Sequence, residues 1–245
     1  MRAALSPLAG VLAISVALTL IPRAAAATVY TVAASGGDFT VIQDALDAAM
    51  PGDTVVVHEK LTPYFERLVF PRSGNAGSGF ITLQAAAGEQ PILDGTGVAG
   101  DQSMILIDSQ SYLAVVGFEI QNNLGVTDGS GVRIVGAGSH LEIRDNRIHD
   151  MRGRNAMGIT VYATEPTAIS DLVIDGNEIF DCEPATSEAL TLNGNVDGFV
   201  VSNNRVHDVD NIGIDCIGGE TDLQPDASKV CRIACATNPR TSASR

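Results

Sequence analysis

Apolar residues fall on alternate positions in short bursts, each burst ends at a polar corner, and the whole arrangement recurs. Four segments align without gaps: LAVVGFEIQN (113–122), LEIRDNRIHD (141–150), LVIDGNEIFD (172–181) and FVVSNNRVHD (199–208), with starts 28, 31 and 27 residues apart. Their first, third and eighth positions are apolar, as in Leu141, Ile143 and Ile148, so each segment reads as a strand, a turn and a second strand. The sixth position is Phe118 and then Asn146, Asn177 and Asn204. An Asn recurring at one corner suits a bend, where its amide bonds the backbone and the copies above and below. A further strand follows each segment: GVRIV (131–135), GITVY (158–162), ALTLN (189–193) and GIDCI (213–217). A unit of two or three short strands buries its apolar side only against the next unit, so the chain is expected to wind as a solenoid of five or six coils.

Ahead of the repeats, TVIQDALDAA (40–49) sets Val41, Ile42, Ala45, Leu46 and Ala49 on one side of a helix. Pro51, Gly52 and Asp53 end it, and TVVVH (54–58) begins a strand. A solenoid needs its end covered, and this amphipathic helix is the expected cap.

GGDFTVIQDALDAAMPGDTVVV, PYFERLVFPRSG and ITLQAAAGEQPILDG, followed by repeats of the form xNxIxD, resemble the secreted right-handed parallel β-helix proteins of the pectate-lyase-like superfamily. The resemblance runs from about Val29 to Glu220. It implies an all-β, right-handed parallel β-helix with an N-terminal capping helix, and a role on extracellular polysaccharide. It is specific for the fold and not for the reaction, because the superfamily holds lyases, hydrolases, epimerases and proteins without known catalysis.

Composition adds the compartment and the class of partner. Arg2, the apolar run 8–21 and the small-residue string Ala24–Ala27 have the form of a signal peptide, so residues 1–27 are expected to be removed and the product secreted or placed at the cell surface. Residues 28–58 then form the cap and first strand, and 59–220 the β-helix. The 15 basic and 29 acidic residues give a net charge of −14, and cleavage removes Arg2 and Arg23 but no acid. Such a surface repels nucleic acid and anionic membranes. No other apolar stretch is long enough to span a bilayer, and a monomer is expected. Cys182, Cys216, Cys231 and Cys235 match no zinc spacing, and their pairing stays open. Residues 221–245 lack alternating strands, which leads us to expect a truncation or a frame shift near residue 220.

Stacking the repeats turns matching letters into columns about 4.8 Å apart. The tenth-position column, Asn122, Asp150, Asp181 and Asp208, suits turn-capping carboxylates, or a row bridged by cations. The seventh, Glu119, Arg147, Glu178 and Arg205, alternates in sign and reads as a structural ladder. His149 and His207, one coil apart from each other's neighbour Phe180, are expected at the surface. The third strand supplies an outward row of Arg133, Thr160, Thr191 and Asp215 beside Tyr162 and Asn193, with Cys216 pointing inward above Leu192. Arg133, Tyr162, Thr191 and Asn193 have the donors and ring to bind sugar hydroxyls and a uronate, although any solenoid shows water a polar face. Asp208, Asp210 and Asp215, with Glu220 just beyond, are oxygen donors suited to calcium, although Asp208 also serves as the turn residue of its column.

By resemblance, the leading activity is calcium-assisted β-elimination on a uronic-acid polymer. Neutralising the carboxylate acidifies the C5 proton, which a Lys or Arg base removes. The candidate bases are Lys60, Lys229, Arg133, Arg152 and Arg154, none of them singled out. The Gly-His-Gly segment of the superfamily's hydrolases and the Asp-Pro-His-Asp of its mannuronan epimerases are absent from the sequence. A non-catalytic carbohydrate-binding or cell-surface module is the alternative, and an inactive truncated fragment the third reading.

Overall fold

Equivalent letters of the repeats become hydrogen-bonded neighbours: Leu113, Leu141, Leu172 and Phe199 stand in register, as do Ile120, Ile148, Ile179 and Val206. The structure is a computed structural model that describes residues 26–99 and 103–218. In chain order its elements are β1 (Val29–Val32), α1 (Ile42–Ala48), β2 (Thr54–Val57), β3 (Leu68–Val69), β4 (Ile81–Ala85), β5 (Ile92–Asp94), β6 (Ile105–Asp108), β7 (Leu113–Val116), β8 (Glu119–Val126) and β9 (Gly129–Val135). There follow β10 (Gly138–Arg144), β11 (Arg147–Gly153), β12 (Ala156–Ala163), β13 (Ile169–Asp175), β14 (Glu178–Cys182), β15 (Glu188–Gly194), β16 (Val196–Ser202), β17 (Arg205–Val209) and β18 (Ile212–Gly218).

These strands form three parallel sheets wrapped around one core. The first runs β1-β2-β4-β7-β10-β13-β16, the second β17-β14-β11-β8-β5 and the third β18-β15-β12-β9-β6-β3. Each full coil contributes one strand to each sheet, the arrangement of a parallel β-helix of about seven turns. That exceeds the five or six coils expected. The additional coil lies near the N-terminus, where β1 pairs with β2 before the Asn corners begin. Strands there are short, β3 having 2 residues and β5 having 3, so their alternation is faint in the sequence.

The core is the stack of alternate residues. Leu113, Leu141, Ile143, Ile148, Ile159, Leu172, Ile174, Ile179 and Leu190 are all buried to within 1%, and each such aliphatic side chain contributes about 1.5–3 kcal/mol. α1 buries Ile42, Ala45 and Leu46 against β1, β2 and β3, confirming the capping helix within shorter bounds than its pattern suggested. No side chain of its own caps its start. Glu66 does so instead, accepting from Ile42 N at 3.1 Å and Gln43 N at 3.0 Å.

The Asn corners form a ladder along the molecule. Asn146 Oδ1 accepts from Phe118 N, Asn177 Oδ1 from both Asn146 N and Nδ2, and Asn204 Oδ1 from Asn177 N and Nδ2, at 2.9–3.0 Å. The amides also donate to Val115 O, Ile143 O and Ile174 O. One side chain thus satisfies a backbone donor and a backbone acceptor of the preceding coil at a corner where no strand can. Among the described residues no helix is long and apolar enough to cross a membrane. The expected signal peptide and the tail fall outside the described residues, apart from Ala26 and Ala27.

Candidate functional site

Two outer faces gather chemistry. On the third sheet, parallel pairing of β9, β12, β15 and β18 places Arg133, Thr160, Thr191 and Asp215 in one row, and Val135, Tyr162, Asn193 and Ile217 in the next. The Arg133 guanidinium lies 5.3 Å from the centre of the Tyr162 ring on the adjacent coil. Asp128 holds it there, accepting from Nη2 at 2.7 Å and Nη1 at 3.3 Å. The Tyr162 hydroxyl points toward Met157 Sδ at 3.6 Å.

Of the four residues expected to bind sugar on this face, Arg133 and Tyr162 reach solvent and the other two do not. Thr160 and Thr191 are fully buried and Asn193 is 6% exposed. The cause is size: short side chains flanked by coils on both sides shield one another, and the Thr160 hydroxyl bonds Ser130 Oγ at 2.7 Å. Thr191 Oγ1 makes no hydrogen bond. Arg133 reaches past this layer, its side chain 18% exposed.

Asp208, Asp210 and Asp215 do not converge. Asp208 Oδ2 lies 2.7 Å from His207 Nδ1, Asp210 Oδ1 accepts from Ala185 N at 3.3 Å, and Asp215 Oδ1 accepts from Cys216 N at 2.7 Å. Among the described residues no three His, Cys, Asp or Glu side chains are grouped to hold a metal ion. The tenth-position column is a row of turns, with Asn122, Asp150, Asp181 and Asp208 all left-handed at φ 49–56°. Asn and Asp tolerate that conformation where other side chains resist it. Cys216 stands against Leu192 and packs on the core, as its inward position required. Cys182 is a buried free thiol whose pKa burial pushes up to about 12.

The second sheet carries the feature that sequence reading missed. Glu119, Arg147, Glu178 and Arg205 do form the alternating ladder, Arg147 bridging Glu119 at 2.7 Å and Glu178 at 3.3 Å. Beside it, His149, Phe180 and His207 stack face to face, with centroids 4.6 and 5.2 Å apart. His149 is buried at 7% exposure, which corrects the surface position expected of it. Its Nε2 meets Glu119 Oε1 and its Nδ1 meets Asp150 Oδ2, both at 2.8 Å. His207 repeats the pattern between Glu178 at 3.2 Å and Asp208. The signal was available in NRIHD and NRVHD, where His adjoins Asp and the seventh position one coil away is Glu.

These contacts set the charges. A hydrogen bond from His149, joined by one from Arg152, lowers the Asp150 pKa. Burial works against the Glu178 carboxylate, yet hydrogen bonds from His207, Arg205 and Arg147 hold its pKa below the ordinary value. Arg152 is bound to Asp150 at 2.9 Å and Glu183 at 3.2 Å, and the Asp150 bond raises its pKa further. A guanidinium held in this way is a clamp and a poor base. Lys60 lies with Nζ 3.6 Å from the Tyr64 ring centre, Arg154 is exposed in the turn between β11 and β12, and Lys229 falls outside the described residues.

No protein-family model matches the chain. The uncharacterized protein YwoF of Bacillus subtilis is 34% identical over 193 residues, covering 74% of this chain and 40% of that protein. The chain therefore spans about two fifths of the length of this relative. Among solved structures, a GH136 lacto-N-biosidase from Eubacterium ramulus superposes with a TM-score of 0.63 at 15% identity, over 77% of this chain and 43% of that one. A rhamnogalacturonan lyase gives 0.57 at 15% identity, over 79% and 63%. At these identities the likeness establishes the parallel β-helix fold.

Proposed function

We propose that this protein acts on polysaccharide, taking a uronate-bearing chain across the outer face of the third sheet at Arg133 and Tyr162. One observation carries the reading: a guanidinium fixed by Asp128 over the ring of the next coil, 5.3 Å from its centre, at the place where this row opens to solvent. Such a pair offers a uronate carboxylate a charge-assisted partner and its sugar ring an apolar surface. The two β-helix neighbours named for sugar-directed enzymes, a lacto-N-biosidase and a rhamnogalacturonan lyase, support a carbohydrate substrate in general.

The chemistry we assign to this face is β-elimination. A base takes the C5 proton, the C4–O bond breaks, a C4–C5 double bond forms and the departing oxygen gains a proton. Arg133 supplies the charge that makes the C5 proton acidic. Among the described residues Asp208, Asp210 and Asp215 are not grouped around one point, and Glu220 lies outside those residues, so no step is routed through calcium. The second reading is a secreted binding module without catalysis. The clamping of Arg152 by Asp150 and Glu183 favours it, because that arginine is then unavailable as a base.

Incubation of the purified protein with pectate, alginate and glycosaminoglycans, with calcium and with chelator, separates the two by the ultraviolet absorbance of an unsaturated uronate product. Product supports the lyase, binding without product supports the module, and neither sinks both. Arg133→Ala should weaken binding of the acidic polymer by about tenfold or more, the cost of one charge-assisted contact. Asp215→Ala tests calcium: a dependence on the ion that survives this change excludes Asp215 as its ligand.

A further inference from the structure

The outer face of the first sheet holds a recess that the proposed reaction does not use. Phe80, Tyr112, His140, Asp171 and Gly198 occupy equivalent places on five coils, each immediately before the in-register residues Ile81, Leu113, Leu141, Leu172 and Phe199. Tyr112, His140, Asp171 and Gly198 are left-handed, at φ 55°, 57°, 50° and 74°. Non-glycine residues hold such angles at a cost, and a whole column of them turns its side chains together along one line.

The first three members of the column make a stack. Phe80 meets Tyr112 edge to face at 5.7 Å, and Tyr112 meets His140 in parallel at 4.2 Å with 14° between planes. There the rings stop, because the next coils supply Asp171 and Gly198. Where the stack is interrupted lies a recess of about 470 Å³, floored by Val173 and by Val200, itself 47% exposed. Glu142 borders it, and Asp171 Oδ2 stands 3.7 Å from His140 Nδ1, a buried nitrogen that makes no hydrogen bond. The volume falls within the roughly 300–1,000 Å³ of small-molecule sites.

We propose that this recess binds one pyranose residue of a neutral glycan. The sugar ring continues the stack on the free face of His140, sets its C–H face on Val173 and Val200, and donates hydroxyls to Asp171 and Glu142. Asp171 and Glu142, the latter held by Arg144 Nε at 2.8 Å, accept from hydroxyls and offer a uronate no free cation, whereas Arg133 on the third sheet stacks its guanidinium on Tyr162, so the two sites select different sugars. A nucleobase would also stack, yet its phosphates meet two carboxylates on a chain of net charge −14. The class of ligand rests on the carbohydrate reading above. The position of the site does not.

The chain's four tyrosines allow each face to be read separately, since Tyr112 belongs to this stack and Tyr162 to the Arg133 face. With the protein labelled by fluorotyrosine and its ¹⁹F resonances assigned, cellohexaose or mannohexaose should move the Tyr112 signal and leave Tyr162 in place. Hexagalacturonate should do the reverse. His140→Asn keeps a residue that tolerates the left-handed backbone while removing the platform, and Val200→Phe fills the recess from an exposed position. Each should weaken the neutral hexasaccharide by about tenfold or more, with thermal melts confirming the fold. Tyr112 unmoved by both neutral probes, or wild-type affinity in both variants, overturns the proposal. A Tyr162 signal indifferent to hexagalacturonate counts against the Arg133 reading alone.

Discussion

Asn177 is 1% exposed and satisfies two backbone groups of the preceding coil, accepting from Asn146 N and donating to Ile143 O. Asn177→Ala leaves those buried groups without partners, each at a cost of about 1–3 kcal/mol. The variant should lose about 3 kcal/mol or more in urea unfolding, well above the cost of trimming a surface Asn. Carboxylates set the acid limit. Hydrogen bonds from Ser202 and Asn203 lower the Asp175 pKa, as those from His149 and Arg152 lower that of Asp150. A depressed folded pKa means stability that is complete above the ordinary carboxylate range and is lost as pH falls through and below it. Midpoints of thermal unfolding should accordingly fall as the solution is taken from pH 5 toward pH 2. Asp175→Asn should flatten that slope, and an unchanged slope would remove Asp175 from the account.

At the scale of the strand, fit between coils decides which small residue opens each third-sheet strand. A Cβ added at Gly131 or Gly158 would collide with Cγ2 of Ile148 or Ile179, so the glycine makes room for the isoleucine of the next coil. The equivalent place on β15 is Ala189, and the facing position in its next coil is Val206, smaller by one methyl group. Gly158→Ala should destabilise by about 1–3 kcal/mol as overpacking. Adding Ile179→Val should recover part of it, which a double-mutant cycle measures. Strand pairing and the Asn corners were legible because alternation and recurrence are properties of the letters themselves. The early coils were less so, since strands of two or three residues carry too little alternation to register. The outward rows were read in the right order but with the wrong openness at Thr191 and Asn193. Alternation tells which way a side chain points and says nothing of what shields it. His149 was misjudged for a related reason: its burial comes from Phe180 one coil away, and its polar partners from Glu119 and Asp150.

The whole molecule is a stack in which each coil touches the coils beside it, and its surface chemistry is laid out in lines. Three parallel sheets give three lines, and the residues proposed for uronate, for neutral sugar and for the His149 column fall one to each. A polysaccharide is itself a linear repeat, so a protein that presents its side chains at a regular pitch meets it with several contacts at once. This geometry also explains why fold likeness reaches proteins of 15% identity: the pitch is fixed by backbone hydrogen bonds, and the letters on the outer faces are free to vary.

The asparagine ladder gives that stack a mechanical character. A ball of packed helices spreads a local defect over many neighbours, whereas here each coil passes load only to the coils beside it, through the three sheets and the asparagine file. Asn177 sits between Asn146 and Asn204, so cutting it separates two half-ladders that share no other rung. The protein is then a rod with a notch at one corner, beside the sixth of the seven strands of its first sheet, and the notch is where strain would gather first when the rod is pulled from its ends.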